Sequence, residues 1–344
     1  MKHPFLTGIT LLLLANPWPG VAAAGFTALD LPGSQLIALS EDGRIAAGGL
    51  VGAPSGGFRW SAEHGVELLE GAVSVQGLSA SGRHVAGSAL DADQGEIATY
   101  WDAAGSAHAI GEPPGPTARG GVVSVAFGIT DEPRAVGMTR VGSDRSAAFE
   151  WAASGGLHLL PLPDTATSAR VAGLSRDGHR LYGWLQHGGM REGVLWEDGV
   201  PRLLRNGDGS VAGEVLGANR DASTLLGIDS AKQGNVVAYR WETLKGAQPL
   251  AYARSDALYL FAGSDDGSVL VGSRGAGADR EAIVWTAQAN VQTLRGLLAA
   301  HNVAIPGGWR LLAATAISGE GNRIGGWGLC AGRMESFVVE LEPQ

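Results

Sequence analysis

Residue types that could do chemistry are present, but their spacing does not assemble them. Eight histidines occur, at His3, His64, His84, His108, His158, His179, His187 and His301, and none stands in a His-x-x-His or His-Glu-x-x-His pattern. A sequence-local zinc site is therefore not expected. No Gly-x-Ser-x-Gly elbow leads into a helix, so a hydrolase nucleophile of that kind is not expected either. The run Gly272-Ser273-Arg274-Gly275 lacks the strand-to-helix setting of a phosphate loop. Asn206-Gly207-Asp208-Gly209-Ser210 has the start of a calcium loop without its spaced ligands and closing Glu, and reads as a plain connection. The sequence thus assigns no catalytic residue, no cofactor and no metal ligand.

One polar feature does recur. Asp42, Ser81, Asp131, Asp177, Asp221, Asp266 and Glu320 occupy equivalent turns. On one face of a closed ring they would attract cations or a basic partner. Asp is also simply a good turn former, and that second reading is preferred.

The elements that carry these turns come from an internal repeat. Each copy has an apolar segment, a turn ending near Gly, and a second Gly five positions on. Leu39-Ser40-Glu41-Asp42-Gly43 leads to Gly48, and Leu78-Ser79-Ala80-Ser81-Gly82 to Gly87. Ile129-Thr130-Asp131-Glu132, one residue shorter, leads to Gly137. Further copies lead to Gly183, Gly227, Gly272 and Gly326. Twelve to fourteen residues later stands an anchor: Trp60, Trp101, Trp151, Trp196, Trp241, Trp285 and finally Val339. Three residues before each anchor the side chain is small: Gly57, Ala98, Ala148, Gly193, Ala238, Ala282 and Ser336.

Each unit reads as four strands, the first ending near Leu39, then Arg44 to Gly48, Gly57 to Ser61 and Val66 to Leu69. The Asp-Gly turn suits a tight hairpin. Four antiparallel strands repeated every 40–50 residues or so predict an all-β, seven-bladed β-propeller. The tryptophans would fill the space between blades. Phe26 to Leu31 looks like a fourth strand with no unit before it, and Ser336 to Leu341 like a third strand with none after it. Joining them would close the ring and leave no open edge. An open solenoid is the alternative. A short helix is expected at Leu294 to Asn302.

Composition agrees with many short strands, since glycine supplies 54 of 344 residues and charged residues only 17%. The N-terminus has a basic start at Lys2, an apolar run from Phe5 to Ala15, and small residues at Ala22-Ala23-Ala24. That order predicts a signal peptide over residues 1–24 and a secreted single domain over residues 25–344. The apolar run is too short to span a bilayer, which takes about 20 residues. The processed chain carries 24 basic and 34 acidic side chains, a net charge of −10, so nucleic acid is not an expected partner. Cys330 is the only cysteine, so no internal disulfide can form, and it is expected to be a small core residue.

The repeat resembles the HAF-type extracellular repeat family, through Ala148-Phe149-Glu150-Trp151 and, less closely, Gly57-Phe58-Arg59-Trp60. The run Leu294 to Gly326 is similar to the family's ending. The resemblance implies export and a propeller-like fold, and no established activity. The family's His is missing from every copy, where Gly56, Ile97, Ala147, Glu192, Val237, Glu281 and Glu335 stand instead.

Propeller loops commonly bind ligands. Those after the second and fourth strands offer Arg140, Asp144, Arg145, His187, Lys232, Arg274, Asp279 and Arg280. Their mixed charges select no ligand class. The expected function is a non-enzymatic binding or scaffold module, monomeric, for an unidentified protein or glycan. The alternative is a hydrolase or lyase acting on extracellular polymers. A purely structural matrix role has no anchor or sorting segment to support it.

Overall fold

The computed structural model describes residues 24–342, apart from 53–54, 112–120, 143–144, 230–236, 243–244 and 251–256. The expected signal peptide, save its last residue, lies outside the described residues. The described chain is all-β, with 29 strands, one short helix and one 3-10 turn. The helix, Leu294–Ala300, is capped by Thr293, whose hydroxyl accepts from the Gly296 amide.

The strands form four-stranded antiparallel units in chain order. In the first unit Ser34–Leu39, Ile45–Leu50, Gly56–Ser61 and Gly65–Leu69 pair as a meander. The second strand therefore runs past Gly48 to Leu50, two residues beyond the expected end. Two later units join into one eight-stranded sheet through a single parallel pair, Ala218 with Ala262. Another carries a short extra strand, Gly121–Val122, parallel to Gly95–Glu96.

The N-terminal strand Gly25–Ala28 pairs antiparallel with the C-terminal strand Arg333–Glu340, Phe26 facing Val339 and Ala28 facing Phe337. Phe26 stacks on Phe337 at 5.4 Å and meets Trp309 edge-on at 5.1 Å. The sheet holding both termini packs on the first unit. Ala316 and Val338 share a core with Leu36, Phe58 and Trp60. The Ser336 amide donates to Ser34 Oγ at 2.9 Å. The contact between the second and third units is of the same kind, the Ala98 amide donating to Ser124 Oγ at 2.8 Å.

A β-bulge explains the second Gly. In every unit the first strand slips register at an equivalent residue, Ile37, Gln76, Phe127, Ala172, Leu216, Phe261 or Thr315, and two of these strands slip a second time, at Val73 and Leu312. The bulge presses a carbonyl against the facing residue of the second strand. Those carbonyls belong to Gln35, Ser74, Val125, Arg170, Glu214, Tyr259 and Ala313, and a Cβ on Gly48, Gly87, Gly137, Gly183, Gly227, Gly272 or Gly326 would collide with them. Only glycine admits so close a backbone approach. The third strand then places Phe58, Thr99, Phe149, Val194, Tyr239, Ile283 or Phe337 opposite that glycine, covering the space it leaves.

The anchors seal the joints between units. Trp101 and Trp196 are fully buried. Their indole N–H groups donate to Glu70 and Pro161, at the ends of the preceding units, at 3.0 and 3.2 Å. A Cβ on Gly57 or Gly193 would strike Val75 or the Gly213 carbonyl of the next unit, which is why this position is small. Cys330 departs from expectation: it is half-buried and packs against the C-terminal core rather than within it. It sits at the end of its strand, paired with Trp309 on one edge and Arg333 on the other.

Candidate functional site

The first strands of all the units surround one channel, a cavity of about 400 Å3. The bulged residues line its waist. Ile37, Phe127, Ala172, Leu216 and Phe261 are apolar, and the Thr315 hydroxyl donates to the Leu36 carbonyl at 2.6 Å. No ionisable residue occupies a bulge position; the ionisable residues of the lining, Arg170, Arg176, Tyr182 and Arg220, stand on either side of it.

At the turn-side mouth the recurring carboxylates are engaged in their own turns. Ser40, Ser175 and Ser264 each donate to the carboxylate two residues on, Asp42, Asp177 and Asp266, at 2.6–2.7 Å. The same oxygens accept amides from Arg44, His179 and Ser268. Asp221 accepts from the Ser223 amide, while Asp131 reaches the neighbouring turn and takes both the amide and hydroxyl of Ser81. The Ser175 and Ser264 hydroxyls first, and then those amides, hold Asp177 and Asp266 below the usual carboxylate range. These acids fasten hairpins, and the turn-former reading is the one the geometry supports.

The turns are also tied to one another. The Glu41 amide donates to Ala80, Gly319 to Glu41, Asp265 to Gly319 and Arg176 to Arg220. Arg176 reaches Glu41, 135 residues away, with Nη1–Oε1 at 2.6 Å. Both are lining or flanking residues of the turn-side opening, so this mouth carries an ionic strap.

The loop-side mouth differs. A second cavity of about 320 Å3 opens there between first strands and their neighbours, lined by Arg170, Trp184, Arg191, Glu214, Tyr259 and Arg280 among others. Arg191 is paired with Glu214 at 2.7 Å and lies 4.5 Å over the Trp184 ring. Arg170 stacks 4.0 Å over Phe127, and Arg280 5.8 Å from the Trp327 ring centre. The Nε of Arg170 and the Nε of Arg280 are both buried without a hydrogen-bond partner among the described residues. Leaving such a donor unmade costs about 1–3 kcal/mol. Burial lowers the Arg170 pKa, Glu214 opposes that and the like charge of Arg191 adds to it. Two arginines here hold unspent donors in a low-dielectric setting.

Of the loop residues expected to be exposed, only Arg280 lines this cavity, with Asp279 beside it on the adjoining surface. Arg274 is committed to Glu281 at 2.8 and 2.9 Å, and His187 faces Glu192 at 3.5 Å. The Arg140 amide donates to Val123, and Arg145 is exposed at the start of its strand. Asp144 and Lys232 lie outside the described residues. Arg170, Arg191, Glu214 and Tyr259 were not singled out by sequence. Arg170, Glu214 and Tyr259 each stand thirteen residues before a second Gly, and a polar residue there, within or directly before an apolar strand, was the available signal. Among the described residues no three His, Cys, Asp or Glu side chains gather as metal ligands would. No helix among them is long and apolar enough to cross a membrane.

No protein-family model matches the chain. No curated protein matches it either. Solved structures do. The β-propeller domain of the Trilobed protease from Pyrococcus furiosus aligns at TM-score 0.60 and 10% identity, over 89% of this chain and 95% of that one. An acylaminoacyl peptidase in complex with Z-Gly-Gly-Phe-chloromethyl ketone aligns at 0.59 and 11%, over 93% of this chain and 51% of that one. An oligogalacturonate lyase in complex with manganese aligns at 0.58 and 14%, over 92% and 93%. At these identities the likeness shows the fold alone, and the fold is a β-propeller. The resemblance to the HAF-type repeats rests on the motifs already quoted.

Proposed function

We propose that this chain is an exported, seven-bladed β-propeller, closed by its N-terminal strand, that works as a binding module and takes its ligand at the loop-side mouth. Export is supported by the N-terminal segment, and a single domain over residues 25–344 by the uninterrupted repeat. Closure is supported by the pairing of Gly25–Ala28 with Arg333–Glu340 and by the Ser336 to Ser34 hydrogen bond. The Pyrococcus furiosus propeller is, by contrast, described as having an open velcro topology.

One observation carries the binding reading: the turn-side acids are consumed by their hairpins, whereas the loop-side cavity keeps two arginines with unpartnered donors. Ligands favour concave sites with apolar walls and a few convergent polar groups. The test is binding of the processed chain, residues 25–344, to a panel of glycans and peptides, repeated with Tyr259→Ala at the loop side and Arg176→Gln at the turn side. Weakening by Tyr259→Ala alone is expected. Weakening by Arg176→Gln alone would overturn the placement.

The polymer-acting reading has its own support in the Arg191–Glu214 pair, a charged couple inside a cavity able to hold a substrate's acid group. Among the propellers of like fold, one is an oligogalacturonate lyase. Incubation with an acidic polysaccharide, followed for new chain ends, separates the two: release of shortened chains would make this an enzyme.

A further inference from the structure

We infer that the loop-side cavity is a carboxylate site, in which Arg170 and Arg280 clamp one carboxylate carried on a flat or ring-shaped body. This rests on the binding-module reading and names its ligand class. The charge distribution is the first support. The whole chain is acidic, at −9, yet this cavity gathers Arg170, Arg191 and Arg280 against Glu214 alone. A patch that opposes the sign of its protein attracts what the rest of the surface repels.

The pairing is the second support. Glu214 neutralises Arg191 at 2.7 Å, which leaves two guanidinium groups without a carboxylate among the described residues. Each has a buried Nε with no acceptor. A planar carboxylate offers two acceptor oxygens and suits guanidinium forks. Arg170 is held by Phe127 beneath it, so little side-chain freedom is lost on binding.

The walls are the third support. Trp184, Tyr259 and Phe261 line the same space, which favours a ligand whose anion is attached to a flat body. Glu214 meanwhile penalises a second negative charge, so a monoanion is preferred over a dianion. Inorganic phosphate should bind more weakly than a carboxylate of the same concentration.

The experiment is calorimetric titration of the processed chain with benzoate, benzyl alcohol and inorganic phosphate at one ionic strength. Benzoate should saturate one site, at least about tenfold tighter than either comparator, the scale of one charge-assisted hydrogen bond. Arg280→Gln should weaken benzoate by about tenfold. Glu214→Gln should tighten it, an outcome that simple structural damage does not produce. Arg170→Gln is read only where its melting temperature stays near that of the parent, and Arg280→Gln with Glu214→Gln decides otherwise. Benzoate binding unchanged in Arg280→Gln, phosphate binding as tight as benzoate, or no saturable binding would overturn the assignment. If the panel then still shows a ligand sensitive to Tyr259→Ala, the binding-module reading survives and only the carboxylate is lost. If nothing binds, both fall.

Discussion

Adjacent glycines in one strand give the sharpest test of the bulge. Gly48 and Gly49 are neighbours in Ile45–Leu50, and replacing each by Ala should have opposite effects. A Cβ on Gly48 would run into the Gln35 carbonyl, and would come within 2.8 Å of both Leu36 Cα and the Phe58 ring. Two of those three obstacles are backbone atoms fixed by the bulge, so the ring alone can yield. Overpacking against backbone costs about 3 kcal/mol, the upper end of the usual range. A Cβ on Gly49 would find only the Gly56 carbonyl at 3.7 Å, an ordinary contact. Removing glycine's freedom from the unfolded chain there stabilises by about 0.4–1 kcal/mol. In a chain of this size each kcal/mol moves the melting temperature by about 2 °C. Calorimetric melting should therefore place Gly48→Ala about 6 °C below the parent and Gly49→Ala level with it or slightly above. Adding Phe58→Ala to Gly48→Ala should not restore stability, because the carbonyl remains. Equal melting of the two single variants would refute the bulge as the reason for the recurring glycine.

Trp101→Ala should destabilise by about 3–5 kcal/mol in denaturant unfolding, since a fully buried indole leaves a cavity. Phe26→Ala removes the aromatic contacts to Phe337 and Trp309, and should expose the C-terminal strand, read as faster amide exchange across Ser336–Val339. Millimolar calcium should leave the melting temperature unchanged, because the turn carboxylates already accept from serine hydroxyls and amides; a rise would reinstate the cation ring. Asp177 and Asp266 have folded pKa values below their unfolded ones. Their contribution is therefore present above the unfolded value and lost as pH falls through the folded one. Asp177→Asn should lower stability at neutral pH and flatten the acid limb of a stability-against-pH curve, leaving strongly acid behaviour nearly unchanged.

Much of the fold was legible because the signals were local and repeated. A Ser-x-Asp-Gly turn reports itself in four residues, and a tryptophan at a fixed offset reports a strand. The helix at Leu294 was legible for the same reason. The bulge was not, since no residue type encodes it. It shows in sequence only as an unexplained glycine on the facing strand, and pairing across strands was needed to see the carbonyl that forbids a Cβ. The second strand was read as ending at Gly48 because glycine usually punctuates; here it sits mid-strand, under that carbonyl. The loop-side mouth was missed for another reason. Exposed charge in loops does not mark it: Arg170 lies inside the strand Ser168–Leu174 and Glu214 directly before the strand Val215–Ala218, and both line the cavity.

The bulge also explains why so regular a repeat says so little about ligand. The residues whose carbonyls press on the second glycine are Gln35, Ser74, Val125, Arg170, Glu214, Tyr259 and Ala313. The bulge uses only their backbone, and their types range from apolar through amide to both charges. Three of them, Arg170, Glu214 and Tyr259, put their side chains into the loop-side cavity. At one position, then, the carbonyl serves the fold while the side chain serves the site, and the two can be altered separately. Changing the glycine should cost stability whatever the ligand is, whereas changing Arg170 or Tyr259 should alter recognition and leave the bulge in place. Chemistry that rides on the side chains of a backbone-defined position leaves no trace in the repeat, and becomes visible only when the strands are set around the channel.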